Sequence, residues 1–222
     1  MKMINRIIIA AAILMGTATT TAHAQYYQLA NQATNMISTA LSGGVNYRGY
    51  ADVGYLAGLG DKRADILSIS TTQGVKFSNT FFMGVGLGVD VMFCDVADVS
   101  RPPQWGPDDK GFTETGVAIP LFTDFRLNFG APGSVGFYAD LKIGASFLVG
   151  NDYIRVGDGY LTNSESFYLK PAIGMRIPVS GGNSKYAFNV GVNYQLTTSN
   201  YWYVNSNNIT LSSLGVNVGF EW

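Results

Sequence analysis

From residue 45 to the end of the chain, large apolar side chains alternate with small or polar ones at a period of two, the signature of strands with one apolar face. The run from Phe81 to Phe93 shows it most plainly. One face carries Phe81, Met83, Val85, Leu87, Val89, Val91 and Phe93; the other carries Gly84, Gly86, Gly88 and Asp90. The same split recurs at Val45–Tyr55, Leu67–Phe77, Val117–Phe129, Val135–Phe147, Phe167–Val179, Tyr186–Leu196 and Ile209–Trp222, giving eight predicted strands. Each has about 11 to 14 residues, and a tilted strand crossing a bilayer needs about 9–11.

The connections alternate in length. Ser78-Asn79, Gly130-Ala131-Pro132-Gly133 and Ser180-Gly181-Gly182-Asn183 are short, whereas Gly58–Asp65, Asp95–Gly116, Gly150–Glu165 and Thr198–Asn208 are long. Short turns on one rim and long loops on the other are the outer-membrane pattern, with the short side in the periplasm. Pro120 and Pro171 fall inside predicted strands, and proline removes a ladder hydrogen bond, so a β-bulge is expected at each. Pro178 is expected to end its strand.

Alternation alone leaves open which face points inward. In a soluble lipocalin-like barrel the apolar face lines the interior. An eight-stranded barrel, however, is only just wide enough for side chains to fill. The bulky faces are therefore expected to point out into lipid, and the glycine-rich faces into the bore. The predicted fold is all-β, a closed up-and-down antiparallel transmembrane barrel of eight strands spanning residues 45–222.

Charge fits this arrangement. Arg48, Lys76, Arg126, Lys142, Lys170 and Arg176 fall on the polar faces, as do Asp52, Asp90, Asp124, Asp140 and Glu221. A Lys or Arg on the lipid face near the midplane would cost about 2–4 kcal/mol. Inside, desolvation drives opposite charges to pair. The expected result is a charge-paired, plugged interior, and the alternative is a narrow ion or solute path. Aromatics form two bands, with Tyr47, Phe129, Phe137 and Trp222 toward one rim and Tyr55, Phe93, Phe147 and Phe167 toward the other, the girdles of a membrane barrel.

The N-terminus reads as a targeting segment over residues 1–24. Lys2 and Arg6 precede the apolar run Ile7 to Met15, and Ala22-His23-Ala24 offers a cleavage site. No cysteine adjoins that site, so a lipid anchor is not expected. Residues 25–44 carry Tyr26, Leu29, Ala33, Met36, Ile37, Ala40 and Leu41 at helical spacing, followed by Gly43-Gly44. They form either a short periplasmic helix or a mobile leader.

Composition narrows the function classes. The net charge is −1 with scattered basic residues, so nucleic acid is not an expected partner. The 27 glycines, 13 tyrosines and 13 phenylalanines suit strands and turns rather than helices. The single histidine, His23, lies in the targeting segment, so a mature chain has no histidine base for a serine or thiol nucleophile. Cys94, the lone cysteine, has no such partner. No catalysis is expected and no cofactor or metal. Asp95, Asp98, Asp108 and Asp109 gather in one loop, but their spacing matches no calcium loop. Gly84-Val85-Gly86-Leu87-Gly88 lies within a strand, which rules out a phosphate-cradling turn. Trp105, Tyr201, Trp202 and Tyr203 place aromatics in the long loops, where extracellular sugar or protein could be met.

The closing segment Leu214-Gly215-Val216-Asn217-Val218-Gly219-Phe220-Glu221-Trp222 alternates and ends on an aromatic. It resembles the terminal signal read by the outer-membrane assembly machinery, carried here by Phe220 and Trp222. With the loop asymmetry and targeting segment, the chain resembles the small eight-stranded outer-membrane barrels typified by OmpX and the transmembrane domain of OmpA. That family usually ends in phenylalanine, so Trp222 is a departure. The resemblance implies residence in a Gram-negative outer membrane, with lipid, lipopolysaccharide and the assembly machinery as partners. It does not imply a ligand.

Overall fold

The computed structural model describes residues 45–60, 63–77, 80–95, 113–131, 133–150, 153–156, 159–162, 165–179, 185–199 and 209–222. The targeting segment, residues 25–44, Trp105 and Tyr201 to Tyr203 lie outside the described residues. Among the described residues there are ten strands: β1 (Val45–Leu59), β2 (Ala64–Phe77), β3 (Phe81–Asp95), β4 (Thr113–Phe129), β5 (Gly136–Val149), β6 (Tyr153–Val156), β7 (Gly159–Thr162), β8 (Ser166–Pro178), β9 (Ala187–Ser199) and β10 (Ile209–Glu221). Eight of them close into an antiparallel barrel in the order β1-β10-β9-β8-β5-β4-β3-β2. β6 and β7 form a separate two-stranded hairpin.

The expected strands are all found, and several run further than the alternation suggested. β1 continues to Leu59, β2 begins at Ala64 and β4 begins at Thr113. Every extension lies toward the rim that carries the long connections, called here the loop rim. The opposite rim, with the short connections and both barrel ends, is the turn rim.

No bulge marks the prolines. Each strand pairing keeps one register throughout, so no strand carries an inserted residue. Pro120 pairs with Ser146 on β5, while the ladder to β3 lapses between Leu87↔Leu121 and Asp90↔Ala118 and resumes in step. Pro171 behaves likewise: it pairs with Leu141 on β5, and the ladder to β9 lapses between Leu169↔Leu196 and Ala172↔Asn193. The missing N–H interrupts pairing on one side only, which the closed cylinder tolerates without local distortion. Pro178 does end β8.

The register fixes the barrel's shape. Partners followed once around run Gly49, Gln73, Val85, Thr123, Ile143, Leu169, Leu196, Ser212 and back to Leu59, ten residues beyond the start. A ten-residue stagger over eight strands tilts them by about 40° from the axis, given the usual spacings along and between strands.

The outer surface is apolar on all eight barrel strands, from Val53 and Ile69 through Leu121 and Ile143 to Ile173 and Val216. The bore corrects one expectation, because it holds bulky side chains as well as small ones. Tyr50, Phe82, Phe122, Tyr138 and Tyr168 are buried inside it. They fit because glycines on facing positions give them room. A Cβ on Gly86 would strike the Phe122 ring at 2.5 Å, and one on Gly174 would lie 2.7 Å from Tyr138. Small and large inward positions thus interlock to fill the cylinder.

Candidate functional site in the barrel bore

All eleven charged residues singled out from the sequence occupy bore-facing positions, on β1, β2, β3, β4, β5, β8 and β10. They fall into tiers along the axis, because the pleat brings every second residue inward and the tilt staggers neighbouring strands.

At the turn rim sit Arg48, Lys76, Arg176 and Glu221. Arg176 grips Glu221 with two hydrogen bonds, Nε to Oε2 at 2.5 Å and Nη2 to Oε1 at 3.1 Å. Arg48 Nε lies 3.4 Å from the same carboxylate. Lys76 has no carboxylate within 4 Å among the described residues. The amides of Asn128 and Asn189 share this end, Asn128 opposite Tyr138 and Asn189 opposite Arg176.

The middle tier is the most tightly knit. Arg126 is fully buried, with Nη2 at 3.1 Å from Asp140 Oδ2 and 3.9 Å from Asp52 Oδ2. Lys142 Nζ donates to Asp52 Oδ2 at 2.8 Å and to Ser70 Oγ at 3.3 Å. The Arg126 guanidinium lies over the rings of Tyr50 and Tyr138, 4.0 and 4.7 Å from their centroids. Such stacking favours a weakly hydrated planar cation over an ammonium. Asp124 is buried beside this group, and neither of its carboxylate oxygens accepts a hydrogen bond.

Above it, partners are neutral rather than ionic. Lys170 Nζ donates to Ser68 Oγ at 2.8 Å, and Gln195 Nε2 donates to Asp90 Oδ2 at 2.8 Å. Between these tiers lies a cavity of about 10 Å³ lined by Asp52, Ser68, Ser70, Lys142, Lys170 and Asn193 among others. It has room for a single water-sized sphere. The expectation of general pairing therefore divides: Asp52, Asp140, Arg126, Lys142, Arg48, Arg176 and Glu221 form ion pairs, whereas Asp90, Asp124, Lys76 and Lys170 do not among the described residues.

The loop rim of the bore is apolar. Leu56, Ile66, Met92, Leu148 and Leu211 turn inward there and pack with Ile154, Val156 and Leu161 of the β6–β7 hairpin. Ile154 rests on Gly116, where a Cβ would come within 2.6 Å of its Cδ1. The backbone N–H of Arg155 donates to Glu114 Oε2 at 2.5 Å. Three buried aliphatic side chains contribute about 1.5–3 kcal/mol each to holding the hairpin across this end.

Two sequence-predicted features lie on the outer surface. Phe220 stacks between Tyr186 and Trp222, at ring separations of 6.0 and 6.3 Å, and packs on Phe188 at 5.4 Å. At the loop rim Asp95 pairs with Arg63 at 2.7 Å, both exposed; Asp98, Asp108 and Asp109 fall outside the described residues. No group of three or more His, Cys, Asp or Glu side chains is placed to hold a metal ion among the described residues. The charged positions were visible in the sequence, but their aromatic and amide neighbours Tyr50, Tyr138, Asn189, Asn193 and Gln195 were not singled out. They share the inward parity of the charges on each strand, and following that parity finds them.

No protein-family profile matches the chain, and no curated protein matches it significantly. Among solved structures it is similar to Neisserial surface protein A, with 12% identity over 80% of this chain and 97% of that one, at a TM-score of 0.55. It is also similar to the outer membrane enzyme PagL, with 15% identity over 76% of this chain and 98% of that one, at a TM-score of 0.47. The N-terminal β-barrel domain of Pseudomonas aeruginosa OprF matches at 12% identity over 79% of this chain and 96% of that one, with a TM-score of 0.40. The fold is that of the small eight-stranded outer-membrane barrels.

Proposed function

We propose that this protein is exported by cleavage after Ala24 and resides in a Gram-negative outer membrane as a non-conducting, non-catalytic barrel with a structural or surface-contact role. The observation that carries the reading is the division between bore and outer surface. Large apolar side chains cover the outside of all eight strands, an area far larger than the few hundred Å² of contiguous apolar patch a soluble monomer exposes. The ion pairs, meanwhile, are enclosed. Only a lipid surround satisfies both halves.

The filled bore supports the non-conducting reading. Arg126, its carboxylates and the two tyrosines occupy the middle, and the hairpin cluster seals the loop rim. The absence of any histidine after His23 argues against acid–base catalysis of the serine or thiol type. Trp105, Tyr201, Trp202 and Tyr203, aromatics of the long connecting sequences, are the residues we put forward for sugar or protein contact.

Two measurements test this. Purified protein that runs faster unboiled than boiled on a detergent gel, and fractionates with outer membranes, supports the placement; recovery in the soluble periplasm overturns it. Planar bilayers containing the folded protein are expected to stay electrically silent. Steady single-channel openings would replace the plugged barrel with a conduit.

A further inference from the structure

We infer that the turn-rim end of the bore is a binding site for a small oxyanion, a phosphate or carboxylate group held by Lys76, Arg48 and the amide of Asn128.

Charge is the first ground. Arg48, Lys76 and Arg176 share this end with one carboxylate, Glu221, and Arg176 already takes both of its oxygens. Two positive charges remain over. Lys76 is half-buried with no carboxylate within 4 Å among the described residues, a costly position for an ammonium that has no ion pair in contact.

Unused donors are the second, independent ground. Asn128 is 8% exposed, and neither its Nδ2 nor its Oδ1 has a hydrogen-bond partner. Arg48 Nε is buried and makes no hydrogen bond, since its 3.4 Å ion-pair approach to Glu221 lacks hydrogen-bond geometry. Buried polar groups are nearly always satisfied, so a cluster of idle donors at a cationic mouth points to a guest acceptor. An oxyanion matches, because its several lone pairs accept from an ammonium, a guanidinium and an amide together. Deeper penetration is blocked by Phe82 and Tyr138, which stand opposite Lys76 and Asn128 in the strand register and are buried.

The site requires the barrel alone and not its membrane placement, so it is tested on protein folded in zwitterionic detergent. Inorganic phosphate is titrated at constant ionic strength while the Asn128 side-chain amide and the Lys76 signals are followed by NMR. Saturable shifts confined to the turn rim are expected. Lys76→Gln is expected to weaken binding about tenfold, the effect of losing one charge-assisted hydrogen bond, and Lys76→Arg to retain it. Arg63→Gln, at the far rim, leaves it unchanged. Heat-modifiable migration confirms that each variant is folded.

Nanodiscs with and without phosphatidylglycerol, in phosphate-free buffer, distinguish the source. The same Asn128 shift in the anionic discs alone assigns a lipid headgroup; its absence assigns a free oxyanion. Non-saturable shifts, or equal affinity in parent and Lys76→Gln, overturn the site.

Discussion

Gly49 and Trp222 close the cylinder as a pair. Their backbones exchange two hydrogen bonds, Gly49 N–H to Trp222 O at 2.9 Å and Trp222 N–H to Gly49 O at 3.0 Å. The Trp222 indole lies where a side chain on residue 49 would stand. The glycine supplies no packing of its own, and the aromatic ring covers it from the neighbouring strand, the arrangement known as aromatic rescue.

The pair gives a coupled prediction. Gly49→Val forces the indole off its seat and is expected to destabilise the barrel by about 1–3 kcal/mol, the range for overpacking. Trp222→Ala costs stability by itself. Because the clash needs both side chains, the double variant is expected to be more stable than the sum of the two losses. Urea unfolding in lipid vesicles measures all four corners; strict additivity would show that the ring does not sit on residue 49.

Arg126 is the cation on which the middle tier depends. Arg126→Ala leaves the buried Asp140 and Asp52 without their shared partner and Tyr50 and Tyr138 without the cation between them. Breaking a buried pair in this way costs about 3–5 kcal/mol. Arg126→Lys is expected to recover only part of that, since an ammonium cannot stack between two rings as a guanidinium does. The unfolding midpoint in urea reads both.

The loop-rim hairpin is expected to detach without unfolding the barrel. Ile154→Asp places a carboxylate among Leu148, Met92 and the hairpin's own Val156 and Leu161. Undocking relieves that burial at a cost of about 1.5–3 kcal/mol per aliphatic side chain given up. Limited proteolysis should cut between residues 150 and 165 in the variant and spare the parent, while both keep heat-modifiable migration. Equal protection would mean that the hairpin is held by something other than its apolar face.

Depth along the outer surface supplies a direct test of the lipid surround. Val216 is 60% exposed at mid-barrel, and Phe137 is 65% exposed beside the turn rim. Val216→Arg is expected to cost about 2–4 kcal/mol and Phe137→Arg about 0–1, because the penalty for a cation fades toward the headgroups. Unfolding in vesicles measures the difference. Equal, small costs at both sites would place this surface in water.

How much of this was legible beforehand depended on the length of each pattern. From Phe81 to Phe93 the alternation runs unbroken, and the strand, its faces and the inward Asp90 followed directly. Thr113 to Gly116 escaped because Thr, Glu, Thr and Gly carry no apolar alternation; they are held in the ladder by pairing with Asp95, Cys94, Phe93 and Met92. The β6–β7 hairpin escaped for a related reason. Its strands are four residues long, and its apolar residues pack on the bore mouth rather than on each other's sheet face. Pro120 and Pro171 misled because a missing N–H suggests an inserted residue, whereas here the neighbouring strands simply leave one bond unmade. The charges were legible as inward by parity. Their partnering was not, because Lys142 meets Asp52 and Lys170 meets Ser68 across the bore, between residues 90 and 102 positions apart.

The apolar cluster at the loop rim gives the two ends of the bore opposite chemistry. Along the axis from the short-turn end, ion pairs give way to the neutral partners of Lys170 and Asp90, and those to a purely aliphatic cluster. The two ends therefore place different demands on substitution: aliphatic volume at one, charge at the other.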